Sequence, residues 1–171
     1  RPAPSRAAEV VAPPYDVVTA REARAQVQGK PWSFLHVSRP EVDLPEGTDP
    51  YAPEVYARGA ENLAAMLAAG VLVPDDKPCL YLYRLSTDAH VQTGLVASTS
   101  LRAYDRGRIK RHEFTRPVKE DDRVRQIEAL GAQTGPVFLV HPTDPVVEAL
   151  LAGVTETRAE IDIRAVDRVR H

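Results

Sequence analysis

The chain has 171 residues, 43% of them hydrophobic, and 22 Lys and Arg against 24 Asp and Glu give a formal net charge of -2. That length suits one domain that buries its apolar surface without disulfide or metal staples, and the near-neutral balance offers no general field for nucleic acid or an anionic membrane, so direct DNA binding is not expected. The single Cys79, in the run CLYLY, excludes an internal disulfide and a cysteine-rich zinc site.

Read in chain order, the opening RPAPSRAAE lacks the apolar core of a signal peptide, and no apolar run approaches the roughly 20 residues of a membrane helix. A cytoplasmic protein with no membrane span is expected, with Cys79 as a small buried residue. Thr19 followed by Glu22 is a capping-box signature, and Gly29 and Pro31 close the segment, predicting a short helix over about Ala20 to Gln28. SFLHVS, residues 33–38, reads as a buried strand, which would send Phe34, His36 and Ser38 to one face. After the Pro-rich SRPEVDLPEGTDP, Asp49 and Pro50 start the longest helix, with Val55, Tyr56, Leu63, Met66 and Leu67 as its apolar stripe and Gly70 at its end.

CLYLYRL and QTGLVASTSLRAY flank the polar turn STDAHV and read as a hairpin. RPVKEDDRVRQIEALGA reads as a helix behind Thr115 that ends near Gly131, with Val124, Ile127 and Leu130 facing the core and Lys119 and Asp122 in solvent. PVFLVHP reads as a short buried strand and TDPVVEALLAG as a helix capped by Asp144 with Pro145 in its first turn. TRAEIDIRAV alternates like a half-buried strand. Together these elements predict one α+β domain over residues 1–171, a mixed and partly antiparallel sheet packed with about four helices.

Several nucleotide and hydrolase signatures are absent: the G-x-x-x-x-G-K-[ST] phosphate loop, the G-x-G-x-x-G dinucleotide turn, the G-x-S-x-G elbow and the H-E-x-x-H pair. His36, His90, His112, His141 and His171 lie too far apart for a local metal motif, so no metal ligand is assigned. What stands out is IKRHEFTRPVKEDDR, Ile109 to Arg123, which carries nine charged side chains and one histidine. Acids such as Asp121 and Asp122 in the first turns of a helix are explained by capping and solvation alone. Cations ahead of a helix N-terminus are different, because they reinforce the anion affinity of its free N–H groups. Lys110, Arg111, Arg116, Lys119 and Arg123 therefore read either as a grip on phosphate or carboxylate or as a solvated helix start. His112 with Glu113, and Glu120, are the candidate proton-transfer groups. His36 and Arg39, at the end of FLHVSR, are added to the anion site; a cleft shared with residues 112–116 is expected, against the plainer reading of a hydrogen-bonded core histidine. APPYDV gives Tyr15 a rigid setting that suits either a pocket or a turn.

APPYDVV, FLHVSRPEVDLP, LYLYR, TGLVA and IKRHEFTRPVKEDDR, in this order and spacing, resemble the bacterial and archaeal family called domain of unknown function 1015. The likeness is dense from Ala12 to Arg123. Members of that family run longer and carry a DGHHR-type segment similar to the phosphate-gripping loop of the ParB and sulfiredoxin-like superfamily, some of whose members bind or hydrolyse nucleotides and one branch of which phosphorylates free serine. No such segment is present here, so the resemblance implies the N-terminal domain of a longer protein, partnered by its own C-terminal region. Two roles follow as expectations: a share in nucleotide- or phosphate-dependent transfer on a small anionic or hydroxylated metabolite, with a nucleotide and Mg²⁺ as cofactor, or a non-enzymatic module that senses a nucleotide or binds a protein partner.

Overall fold

Local chemistry sets where each element starts. The computed structural model of the protein describes residues 1–111, 114–165 and 169–171. The chain passes through α1 (Ala7–Val10), α2 (Ala20–Val27), α3 (Leu35–Ser38), α4 (Pro53–Ala68), a hairpin of β1 (Tyr81–Ser86) and β2 (Val91–Val96), α5 (Leu101–Asp105), α6 (Pro117–Leu130) and α7 (Pro145–Thr155), with 3₁₀ turns at Pro4–Arg6 and Pro40–Asp43. At α2 the expected capping box is closed both ways: the Glu22 amide donates to Thr19 Oγ1 at 3.2 Å and the Thr19 amide donates to the Glu22 carboxylate at 2.8 Å. Asp144 accepts from the Val146 and Val147 amides at the head of α7.

The longest helix, the 16-residue α4, begins at Pro53 and not at Pro50. Pro53 keeps Ala52 out of the helical region (ψ 144), so Asp49 closes a turn instead, accepting from the Tyr51 amide at 3.0 Å. The hairpin is antiparallel, in register from Tyr81 opposite Val96 to Ser86 opposite Val91, with Thr87 and His90 bonded across the turn. Its second strand stops at Val96, short of the predicted run, because Ser100 caps α5 by accepting from the Ala103 amide. With α2, α4, α6 and α7 as the helices of two turns or more among the described residues, the class is α+β.

Three segments read as strands are not strands. Residues 35–38 form a helical turn: Pro31 and Pro40 bracket the segment, no strand among the described residues pairs with it, and the Ser33 and Phe34 carbonyls take the amides of His36, Val37 and Ser38 instead. Burial still alternates there, with Leu35 and Val37 enclosed, which is how a single buried turn imitates a strand. PVFLV, 136–140, pairs with no strand among the described residues and exposes Val137, Phe138 and Val140. Over 157–165 the described residues form no assigned strand, but Ile163 and His171 exchange backbone hydrogen bonds, the Ala165 amide donates to Val169, and Arg164 bridges Arg170. An apolar run lacks ladder bonds unless a partner edge is supplied.

The core lies in the first half of the chain. Val10, Val37, Met66 and Val71 form one cluster, joined by Trp32, Phe34, Leu63, Leu72 and Leu130, while Ala23, Leu35 and Val42 form a second. Leu67, placed on the buried stripe of α4 by periodicity, is 48% exposed, and Cys79 is exposed. The largest departure is on α6. This helix docks on α4 through Asp122 and Gln126, which are buried, while Val124 faces solvent and only Ile127 and Leu130 are half-buried. Its inward face is polar because it satisfies polar groups of the body: Gln126 Nε2 donates to the Val37 carbonyl at 2.8 Å, and Asp122 accepts from the Tyr56 hydroxyl at 3.0 Å. On the same helix Gly59 permits the close approach of the Pro40–Asp43 turn, for a Cβ there would lie 2.8 Å from Pro40 Cγ.

Candidate functional site

Helix α6 brings the charged stretch onto the body of the protein. Lys119 and Arg123 are one turn apart, and each meets an aromatic ring from elsewhere in the chain: Lys119 Nζ lies 5.7 Å from the centroid of Tyr51, and the Arg123 guanidinium 4.3 Å from that of Tyr15. Arg39 reaches the same tyrosine from the other side of the sequence, donating through Nη1 to the Tyr15 carbonyl at 3.1 Å, and its Nε lies 2.7 Å from the buried Glu41 carboxylate. Arg123 is also paired with Asp122 at 2.8 Å. The chain thus gathers Tyr15, Arg39 and Arg123 at one place, with Lys119 and Tyr51 a helical turn along. Arg116, the N-cap residue of α6, is exposed at i−3 from Lys119.

The tyrosine beneath this group is chemically distinct. Burial, and then the hydrogen bond to Asp122, push the Tyr56 phenol up to about 12 from 10.0, so it is a neutral donor at any physiological pH. Asp122 accepts from both Tyr56 and Arg123. It is therefore a buried acceptor that fixes Arg123 against Tyr15, not the solvating cap that its place in a helix start suggests.

The remaining sequence-predicted residues fall as follows. His36 is bound on both sides, with Nδ1 2.8 Å from Asp43 and Nε2 3.1 Å from the Lys30 carbonyl. Asn62 closes the knot by donating to the His36 carbonyl at 2.7 Å and to Asp43 at 2.8 Å. These bonds tie α3 and the Pro40–Asp43 turn to α4. His36 and Arg39 line different depressions, His36 beside Trp32 and Arg58, Arg39 beside Arg21 and Arg24. Arg111 turns toward α5, bonding the Tyr104 hydroxyl with its guanidinium 5.2 Å from that ring, and Lys110 is exposed. Glu120 accepts from the Thr115 hydroxyl at 2.9 Å. His112 and Glu113 lie outside the described residues. Tyr51, Tyr56 and Asp122 were not legible as site residues. For Tyr15 the prolines at 13 and 14 gave a signal, but its partner Arg123 stands 108 positions away.

Among the described residues no three His, Cys, Asp or Glu side chains gather in a way that would hold a metal ion. No described helix is long and apolar enough to cross a membrane. Several large apolar side chains beyond the core are exposed, among them Phe138, Val140 and Leu150.

Over residues 1–171 the chain matches the family described as a protein of unknown function, DUF1015, and it belongs to that family. No curated protein and no solved structure matches it.

Proposed function

We propose that this domain holds a phosphate-bearing small ligand along Arg39, Arg123, Lys119 and Arg116 and so contributes to a nucleotide- or phosphate-dependent transfer on a small metabolite. The observation that carries this reading is the meeting of Arg39 and Arg123 at Tyr15, which joins cations from residues 39 and 116–123 beside the N-terminal turns of α6. The aromatic rings of Tyr15 and Tyr51 lie against Arg123 and Lys119 and position these cations. Phosphoryl transfer asks for positioning and charge neutralisation, and a carboxylate near the grip, Glu120, supplies a proton acceptor. This role, resembling that of a free-serine kinase of the ParB and sulfiredoxin-like superfamily, has His112 and Glu113 as its further proposed groups. The described residues offer no cage for Mg²⁺, so any Mg²⁺ would arrive on the phosphates of a nucleotide, keeping most of its waters.

The test is calorimetric titration of the protein with ATP and with phosphoserine at fixed ionic strength, wild type against Arg39→Gln, Arg116→Ala and Lys119→Ala. Each lost charge-assisted hydrogen bond is expected to weaken binding about tenfold to a hundredfold. Equal affinity in all variants, or no binding of either ligand, would defeat the reading. The alternative, a non-enzymatic partner-binding module, is favoured by a different observation: Val137, Phe138, Leu150 and the hairpin residues Val91 and Leu95 leave apolar surface open to solvent.

A further inference from the structure

A hairpin has two outer edges, and the backbone groups along each need a partner or water. Residues directly opposite in an antiparallel ladder alternate between pairs that exchange hydrogen bonds and pairs whose N–H and C=O groups point outward. In β1–β2 the turn sets the phase: the Thr87 amide donates to the His90 carbonyl at 2.8 Å, while Ser86 faces outward and exchanges backbone bonds with Arg170 at 3.0 and 2.9 Å. Carried along the register, that phase aims the N–H and C=O groups of Val91, Thr93 and Leu95 away from β1. Among the described residues β2 pairs with β1 alone, so these groups form a bare edge.

Edges of this kind are ordinarily blunted by lysine, proline, a bulge or a covering segment. The strand VQTGLV holds no charged residue and no proline, its register runs without a bulge from Val91 to Val96, and Val91 and Leu95 are exposed. The other edge of the hairpin differs, since Ser86 is bonded to Arg170 and α7 packs against β1. The bare edge is also complementary to itself. With a second β2 laid antiparallel along it and Thr93 on the two-fold axis, each outward N–H meets an outward C=O, because the axis passes through a residue in the bonding phase. Val91 then stands opposite Leu95 of the partner subunit on one face, an apolar pair. Arg84, the charged residue opposite Thr93 in the hairpin, is exposed, so water and salt screen it from its copy across the axis. A net charge of -2 is too small to hold two chains apart.

We propose that the edge of β2 is a docking surface for β2 of a second copy of this chain, joining two hairpins into one continuous antiparallel sheet. The proposal does not rest on the phosphate grip at Tyr15. A second copy fits better than a flexible peptide because β2 is already a strand, so neither side has to be ordered on binding, and one two-fold contact covers the bare edge of both copies. Six residues at about 3.4 Å make an edge about 20 Å long. So short a contact lies at the low end of specific interfaces, and a weak dimer in equilibrium with monomer is expected.

Sedimentation velocity over a concentration series should show the mass rising from one chain toward two. Thr93→Pro is the sharpest variant: the Thr93 N–H takes no part in the β1–β2 ladder, so proline leaves the hairpin paired and removes the central donor of the edge. It should weaken association about tenfold or more with the circular dichroism unchanged. Leu95→Lys, which sets a charge against Val91 of the partner subunit, should weaken it to a similar degree. In Cys79→Ser protein, which lacks the exposed native thiol, Thr93→Cys should cross-link under mild oxidation about tenfold faster than Gln92→Cys. Only the axial residue brings two sulfurs within disulfide reach, and residue 92 points to the other face. A wild-type chain that stays monomeric at every concentration, a dimer that survives Thr93→Pro or Leu95→Lys, or equal cross-linking at positions 92 and 93 would each overturn the proposal. If Thr93→Pro does not fold, Leu95→Lys and the cross-linking comparison decide the matter.

Discussion

Replacing Gly59 by alanine sets two effects against each other, and the structure says which wins. In the interior of a helix, glycine to alanine alone stabilises by about 0.5–1 kcal/mol through reduced backbone entropy in the unfolded chain. At residue 59, however, the new Cβ would lie 2.8 Å from Pro40 Cγ, 3.4 Å from the Val37 carbonyl oxygen and 3.5 Å from Gln126 Nε2. The last two are ordinary contacts, but the first is too close and its surroundings do not give way easily. Pro40 is a buried ring at the start of a 3₁₀ turn, and the Val37 carbonyl and Gln126 are bonded to each other at 2.8 Å. Overpacking of this kind costs about 1–3 kcal/mol, so the expected outcome is a net loss of about 0.5–2 kcal/mol. Urea denaturation followed by helical circular dichroism measures it, with Ala57→Gly, at an exposed position two residues earlier, calibrating helix propensity on the same helix. A Gly59→Ala protein more stable than wild type, by the amount that propensity alone gives, would refute the close approach of α4 to the Pro40 turn.

Two further outcomes follow from the titrating groups. Tyr56→Phe should destabilise by about 1.5–3 kcal/mol, since it leaves the Asp122 carboxylate short of a buried donor, and should remove from ultraviolet titration a phenol ionising at about 12. Because that phenol is raised from 10.0, its contribution, about 2–3 kcal/mol at 1.36 kcal/mol per unit, is complete below pH 10 and disappears as pH rises through 12; alkaline melts of wild type and Tyr56→Phe should therefore converge. For Glu22 the sign is opposite: donation from the Thr19 amide, and then from its hydroxyl, holds the carboxyl below the usual range, so the capping box is intact above the ordinary glutamate pKa and is lost as pH falls through the lower folded value. Thr19→Ala should cost about 1 kcal/mol at neutral pH and less in acid, measured by denaturation at both.

The starts of α2 and α7 are readable from the residues alone, whereas Ser100 at α5 and Pro53 at α4, though local, lose in a pattern reading to a longer strand and an earlier proline. Thr19 with Glu22, Asp144 with Pro145 and the turn chemistry between β1 and β2 act within a few residues of one another, so no distant contact is needed to place α2, α7 or the hairpin. Family membership was legible for the same reason, as an ordered set of short motifs. Tertiary structure decided whatever depended on a partner remote in sequence. Among the described residues no strand edge pairs with SFLHVS, which closes a turn of helix instead, or with PVFLV. The inward face of α6 is Asp122 and Gln126 because Tyr56 and the Val37 carbonyl await them, and periodicity of apolar residues cannot register a helix that docks by satisfying hydrogen bonds. The charged stretch announced a cationic surface, but only folding could show that Arg123 would rest on Tyr15 beside Arg39 while His36 turned away to Asp43. Such pairings are set by the packing of α3, α4 and α6, in which residues far apart in the chain share one small volume.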